Sequence, residues 1–136
     1  MTSRRSALKT LALGLLAACD SVVARFKGAR FTPIVDASRV TSDAAYRTTV
    51  AEQPIIVVRD ASGVRTFVAL CTHEGCPLGW NATQHLIRCP CHGSAFSTAG
   101  QVVEGPAQLP LTEIATRVEG GSVTIDERAL AVSRPT

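Results

Sequence analysis

Apolar residues along this chain recur in short runs and alternations rather than at helical spacing, and those runs predict strands. Ile34-Val35 opens the first, Tyr46 to Val50 alternates weakly, and Ile55-Ile56-Val57-Val58 reads as a fully apolar strand. Asp60-Ala61-Ser62-Gly63 is turn chemistry, after which Arg65 to Leu70 alternates again. Leu86-Ile87 is a further apolar pair. Thr112 to Val118 and Ser122 to Ile125 flank Glu119-Gly120-Gly121, a hairpin signal. Residues 126–136 lack a period and predict a strand extension followed by a tail. No segment sustains a long helical period, so the expected fold is all-β, a sandwich or a small barrel.

The apolar run Leu11 to Ala18 is of a different kind. It follows Ser3-Arg4-Arg5-Ser6-Ala7-Leu8-Lys9, and a charged start, a short apolar stretch and small residues mark a targeting segment. The paired arginines with Leu8-Lys9 resemble a twin-arginine signal, although Ala7 stands where that pattern usually has Phe. Leu16-Ala17-Ala18-Cys19 resembles a bacterial lipobox, in which cleavage leaves Cys19 as a lipid-modified N-terminus. Asp20 resembles the signal that retains lipoproteins at the inner membrane. The run is eight residues long, against the ~20 needed to cross a bilayer. A lipid anchor is therefore expected ahead of simple cleavage or an uncleaved span. The expected organisation is a signal at 1–18, a tether at 19–32 and one domain at 33–136. The expected location is the periplasmic face of a bacterial inner membrane.

Composition adds little beyond this. The formal charge of +3 includes Arg4, Arg5 and Lys9, so the chain beyond the signal is close to neutral. No basic patch argues for nucleic acid. Removing residues 1–18 from 136 leaves 118, enough for one domain with its own core.

The candidate chemistry lies in two boxes, Cys71-Thr72-His73-Glu74-Gly75-Cys76 and Cys89-Pro90-Cys91-His92-Gly93-Ser94. Each offers a Cys and a His at ligand spacing, Cys71-x-His73 and Cys89-x-x-His92, plus one further cysteine. Three chemistries use such donors. Tetrahedral zinc takes two thiolates and two imidazoles, but explains neither the extra cysteines nor the Gly-Ser after His92. A framework of disulfides, with three pairings open to four cysteines, leaves both histidines unexplained. A binuclear iron–sulfur cluster uses two thiolates and two imidazoles, with both histidines on one iron. His85 matches no ligand spacing and reads as an ordinary strand or loop residue, and Trp80 as a packing residue.

Together the boxes resemble those of Rieske 2Fe–2S proteins of the disulfide-containing type, similar to the iron–sulfur subunit of cytochrome bc complexes. The resemblance implies a β-sandwich base carrying a small cluster-binding subdomain. It implies one 2Fe–2S cluster with Cys71 and Cys89 on the iron that stays ferric, and His73 and His92 on the iron that becomes ferrous. It further implies a Cys76–Cys91 disulfide. Neutral imidazoles make the cluster easier to reduce, at roughly −150 to +300 mV against about −400 mV for all-Cys plant-type ferredoxins. Ser94 matches the family's serine that donates to a bridging sulfide. Phe96 fills the position of a tyrosine that donates to a ligand sulfur. Gly105-Pro106-Ala107-Gln108-Leu109-Pro110-Leu111 resembles the proline loop that covers the cluster in respiratory members.

The implied function is one-electron transfer at high potential, with no catalysis by this chain alone. Expected partners are a cytochrome or periplasmic dehydrogenase, or a quinol through a cytochrome b. Oxygenase components and their ferredoxins resemble the ligand pairs but lack the Cys76/Cys91 pair and stay in the cytoplasm. A subunit of a quinol-oxidising bc complex, passing electrons to cytochrome c, is the alternative. Those subunits usually carry Leu where this chain has Glu74, and an unpaired carboxylate entering an apolar quinol pocket costs several kcal/mol. A solitary or dehydrogenase-linked carrier is therefore expected first.

Overall fold

The computed structural model describes residues 30–132, so the signal segment, Cys19 and the tether up to residue 29 lie outside the described residues. Among these residues eleven strands form three antiparallel sheets. β1 (Phe31–Asp36), β10 (Thr116–Glu119) and β11 (Ser122–Asp126) make the first, in the order β1-β11-β10. β2 (Tyr46–Val50), β3 (Gln53–Asp60), β4 (Gly63–Val68) and β9 (Glu113–Ile114) make the second, in sequence order. β5 (Gly79–Asn81), β6 (Leu86–Arg88), β7 (Ala95–Phe96) and β8 (Val102–Glu104) make the third, which carries both boxes.

The continuous apolar run of β3 has a direct structural cause. Successive side chains of a strand point to opposite faces, and both faces of β3 are covered. Ile55 and Val57 pack toward Ile125 and Val123 of the first sheet, while Ile56 and Val58 pack toward Ile87 and Phe96 of the third and Leu78 just before it. Phe67 and Val68 of β4 divide in the same way. The second sheet is thus the middle layer, and the boxes rest on its outer face.

The predicted hairpin pairs Val118 with Val123 around Gly120 and Gly121, both at positive φ. Beyond it the chain departs from the expected strand extension. A short helix, α1 (Arg128–Val132), turns back, and Leu130 is buried beside Ile55, Val68 and Ile114. The Asp126 carboxylate accepts from the Arg128 N–H at the start of this turn, and no hydrophobic period is needed for one anchoring leucine. Among the described residues no helix is long and apolar enough to cross a membrane.

Candidate metal centre

Each box folds into a closed six-residue loop, and the two loops use the same hydrogen bonds. In the first, the Cys71 N–H donates to the Cys76 carbonyl and the Gly75 N–H to the Cys71 carbonyl, both at 2.8 Å. In the second, the Cys89 N–H donates to the Ser94 carbonyl at 2.8 Å and the Gly93 N–H to the Cys89 carbonyl at 3.2 Å. The fifth residue of each loop must adopt positive φ, and it is glycine in both, Gly75 at 73° and Gly93 at 84°. A bridge between Leu70 and Pro77 closes the base of the first loop, while β6 and β7 lead into and out of the second.

This geometry sorts the donors. Cys71 and Cys89, first in their loops, are buried with unpaired thiols. His73 and His92 stand at the exposed tips, their ring centroids 5.0 Å apart and their planes nearly perpendicular. Cys76 and Cys91 are joined by a disulfide that ties one loop to the other. Glu74 also lies at the tip, one carboxylate oxygen 4.0 Å from His73 Nε2 and the other 3.7 Å from His92 Nδ1.

The arrangement suits two metal ions better than one. A single tetrahedral zinc needs all four donors within about 4 Å of one another. Among the described residues, the donor atoms within 4.8 Å of one another form two separate groups, one of His73, Glu74 and His92 and one of Cys76, Cys89 and Cys91. Two of the second group are spent on the disulfide. Cys71 belongs to neither group, so among the described residues no four donors lie as one tetrahedral zinc needs them, whereas a buried Cys and an exposed His from each loop suit a binuclear cluster.

The segment Gly105–Leu111 is fastened to both loops. Thr72 Oγ1 donates to the Leu109 carbonyl at 2.7 Å, and the Ala107 N–H donates to Ser94 Oγ at 2.9 Å. The Gly105–Pro106 peptide is cis, Ala107 is buried, and Leu109 is 65% exposed beside His73. Ser94 is fully buried and, having accepted from Ala107, keeps its own hydrogen for donation. Phe96 is fully buried in the core that includes Cys71 and Cys89. Sequence reasoning missed Thr72 and the Ala107 N–H. Thr72 had a signal, a hydroxyl between two candidate ligands; a backbone N–H has none.

His85 sits outside this site, in the β5–β6 turn at positive φ. Its Nδ1 is 2.9 Å from the Ser42 carbonyl, and its ring stands edge-on to Trp80. Trp80 packs against the core beneath the loops, as expected.

The Rieske [2Fe-2S] domain matches residues 30–115. The chain belongs to this family. It accordingly holds one 2Fe–2S cluster, and the donor set just described fits that group. This Rieske protein is 36% identical over 76 residues to the cytochrome b6-f complex iron-sulfur subunit of Chlorobaculum thiosulfatiphilum, covering 56% of this chain and 42% of that protein. It is 40% identical over 72 residues to the corresponding subunit of Synechococcus sp. (strain JA-3-3Ab), covering 52% and 42%. The chain thus spans about two fifths of the length of these curated relatives. Among solved structures it resembles the plasma membrane Rieske protein PetC3 from Synechocystis PCC 6803, with a TM-score of 0.63 and 26% identity over 69% of this chain and 97% of that one. The Sphingomonas yanoikuyae B1 ferredoxin, with a TM-score of 0.61 and 24% identity over 71% and 98%, shares the fold.

Proposed function

We propose that this Rieske protein is an exported, membrane-associated carrier of single electrons at high potential. In this reading Cys71 and Cys89 hold one iron, and His73 and His92 hold the other. The observation that carries it is the matched pair of loops, which bury two thiols and present two imidazoles at one exposed tip. The cluster supplies a one-electron acceptor of positive potential, below the roughly +300 mV upper limit for such centres. The chain's part is to exclude water from the thiols, to leave the imidazole edge open to a partner, and to hold the loops rigid through Cys76–Cys91. Export by the Arg4-Arg5 signal suits a protein that folds around its cofactor first, and lipidation at Cys19 supplies the membrane attachment.

A second reading, a subunit of a quinol-oxidising cytochrome complex, is supported by the similarity to cytochrome b6-f iron-sulfur subunits and by the fastened segment Gly105–Leu111. Glu74 weighs against it, because a carboxylate at the tip must be desolvated in an apolar quinol pocket.

Purification of tagged protein from native membranes separates the two. A multi-helix cytochrome b retained in stoichiometric amount establishes the second reading, and its absence supports the first. Single replacement of Cys71, His73, Cys89 or His92 by Ala should abolish the visible and paramagnetic signature of the cluster. Retention of that signature in any of the four overturns the ligand assignment. Cys19→Ala should release the protein from the membrane fraction.

A further inference from the structure

Beside the second ligand loop lies a hollow of about 680 Å³, whose walls include Arg47, Trp80, Asn81, Arg88, Cys89 and Pro90. It shares no residue with the cleft of about 470 Å³ formed by Thr72, His73, Pro106, Gln108 and Leu109 at the imidazole tip. No carboxylate lines it. Arg47, exposed on β2, donates through Nη1 to the Leu78 carbonyl at 3.0 Å and makes no ion pair among the described residues. Arg88, on β6, donates to Glu104 Oε2 at 2.8 Å through one terminal nitrogen. The Trp80 indole N–H is satisfied by the Asp43 carbonyl, which leaves the ring as an apolar wall. Asn81 is committed to Gln84.

Two guanidiniums, one of them without an anion, beside an aromatic ring and prolines, suit a carboxylate on a methylene stem. Arginine's planar fork matches a carboxylate, and the apolar wall takes the stem. Cys89 contributes to the same wall, so an occupant sits beside the second ligand loop. We propose that this hollow is a docking port for an acidic redox partner, with an Asp or Glu side chain of that partner held by Arg47 and Arg88. The port rests on the electron-carrier reading, since a carrier must meet both a donor and an acceptor. Two faces without a common residue allow both to be bound at once. The basic hollow also steers acidic surfaces toward this side, while the tip, with Glu74, repels them.

The test is isothermal titration of cluster-loaded, disulfide-intact protein with hexaglutamate, a neutral Gly–Ser hexapeptide and inorganic phosphate, at low and high salt. Hexaglutamate should bind at one site and weaken with salt, and the neutral peptide should not bind. Arg47→Gln should weaken hexaglutamate roughly tenfold, the loss of one charge-assisted hydrogen bond. Arg47→Lys should recover part of that loss, and Glu74→Gln should leave binding within twofold. Phosphate binding tighter than hexaglutamate, equal binding of the neutral peptide, or an affinity unchanged in both Arg47→Gln and Arg88→Gln overturns the port. A protein that fails to assemble its cluster refutes the carrier reading instead, and is recognised by its missing visible absorption before any titration.

Discussion

Ser94 and Phe96 lie two residues apart, both fully buried beside the thiols, yet only one of them can donate a hydrogen bond. A donor aimed at cluster or ligand sulfur favours the reduced state, which carries one more negative charge. If that net preference is about 1 kcal/mol, one donor is worth roughly 40 mV, scaled from 59 mV per tenfold for one electron. Phe96→Tyr should therefore raise the potential by tens of millivolts. Ser94→Ala should lower it by a similar or larger amount, because Ser94 Oγ is already oriented by the Ala107 N–H. Protein-film voltammetry reads both, and an unchanged potential in Phe96→Tyr with an intact cluster would show that the ring edge does not face sulfur. At this scale the sequence was informative where the chemistry is local. Cys71-x-His73 and Cys89-x-x-His92 are spacings within single loops, so they can be read without a fold. The Thr72 bond to Leu109 crosses 37 residues, and nothing in either segment alone announces it. The position of Glu74 between two imidazoles likewise needs both loops in place.

Between elements, the contact of Gly100 with Phe67 joins the sheet that carries the two loops to the middle layer. A Cβ at Gly100 would sit 2.5 Å from Phe67 Cε1, and its φ of +75° already disfavours any L side chain. Gly100→Ala should destabilise by roughly 3 kcal/mol, combining left-handed strain with overpacking, and a denaturant midpoint close to wild type would contradict the close approach. Next along the chain, β9 is held to β4 by Arg65, whose Nε and Nη2 each donate to Glu113 at 2.7 Å. Hydrogen bonding by Arg65 holds the Glu113 carboxyl below its ordinary value of 4.5. A lowered folded value means the pair stabilises above about pH 4.5 and loses that contribution as pH falls through the folded value. Because both side chains are substantially exposed, Glu113→Gln should cost only about 0.5 kcal/mol at neutral pH. Urea midpoints of the two proteins should then converge in acid, and a gap that persists there would show the loss is not electrostatic. Strands with strong periodicity were legible, β3 and the β10–β11 hairpin above all. The span Thr112 to Val118 reads as one strand, but its division into β9 on the middle sheet and β10 on the first was not legible, nor was the one-turn α1, because each depends on a single side chain, Ile114 or Leu130, finding an existing core.

Taken as a whole, the molecule sets its working tip on two loops that have little core of their own, and one covalent bond joins them. Loop one runs from β4 to β5 and loop two from β6 to β7, so only the β5–β6 pairing at their base joins them through the backbone, and the tips keep a freedom of their own. Cys76–Cys91 removes that freedom directly above the buried thiols, and the Thr72–Leu109 and Ser94–Ala107 hydrogen bonds reinforce it from the covering segment. Closing a ring across a separation of 15 residues lowers the entropy of the unfolded chain by about 3 kcal/mol in the chain-entropy model. That term alone predicts a uniform loss of global stability when the bond is removed. The loop architecture predicts more. The double replacement Cys76→Ser with Cys91→Ser should leave the three sheets folded while the cluster is lost from the tip much faster than the protein unfolds. Following cluster absorbance and far-ultraviolet circular dichroism in one denaturant series separates the two cases. In wild type the signals should fall together, and in the double variant absorbance should fall first. Coincident loss in the variant would mean that the disulfide stabilises only the unfolded-state balance and does not hold the loops in register.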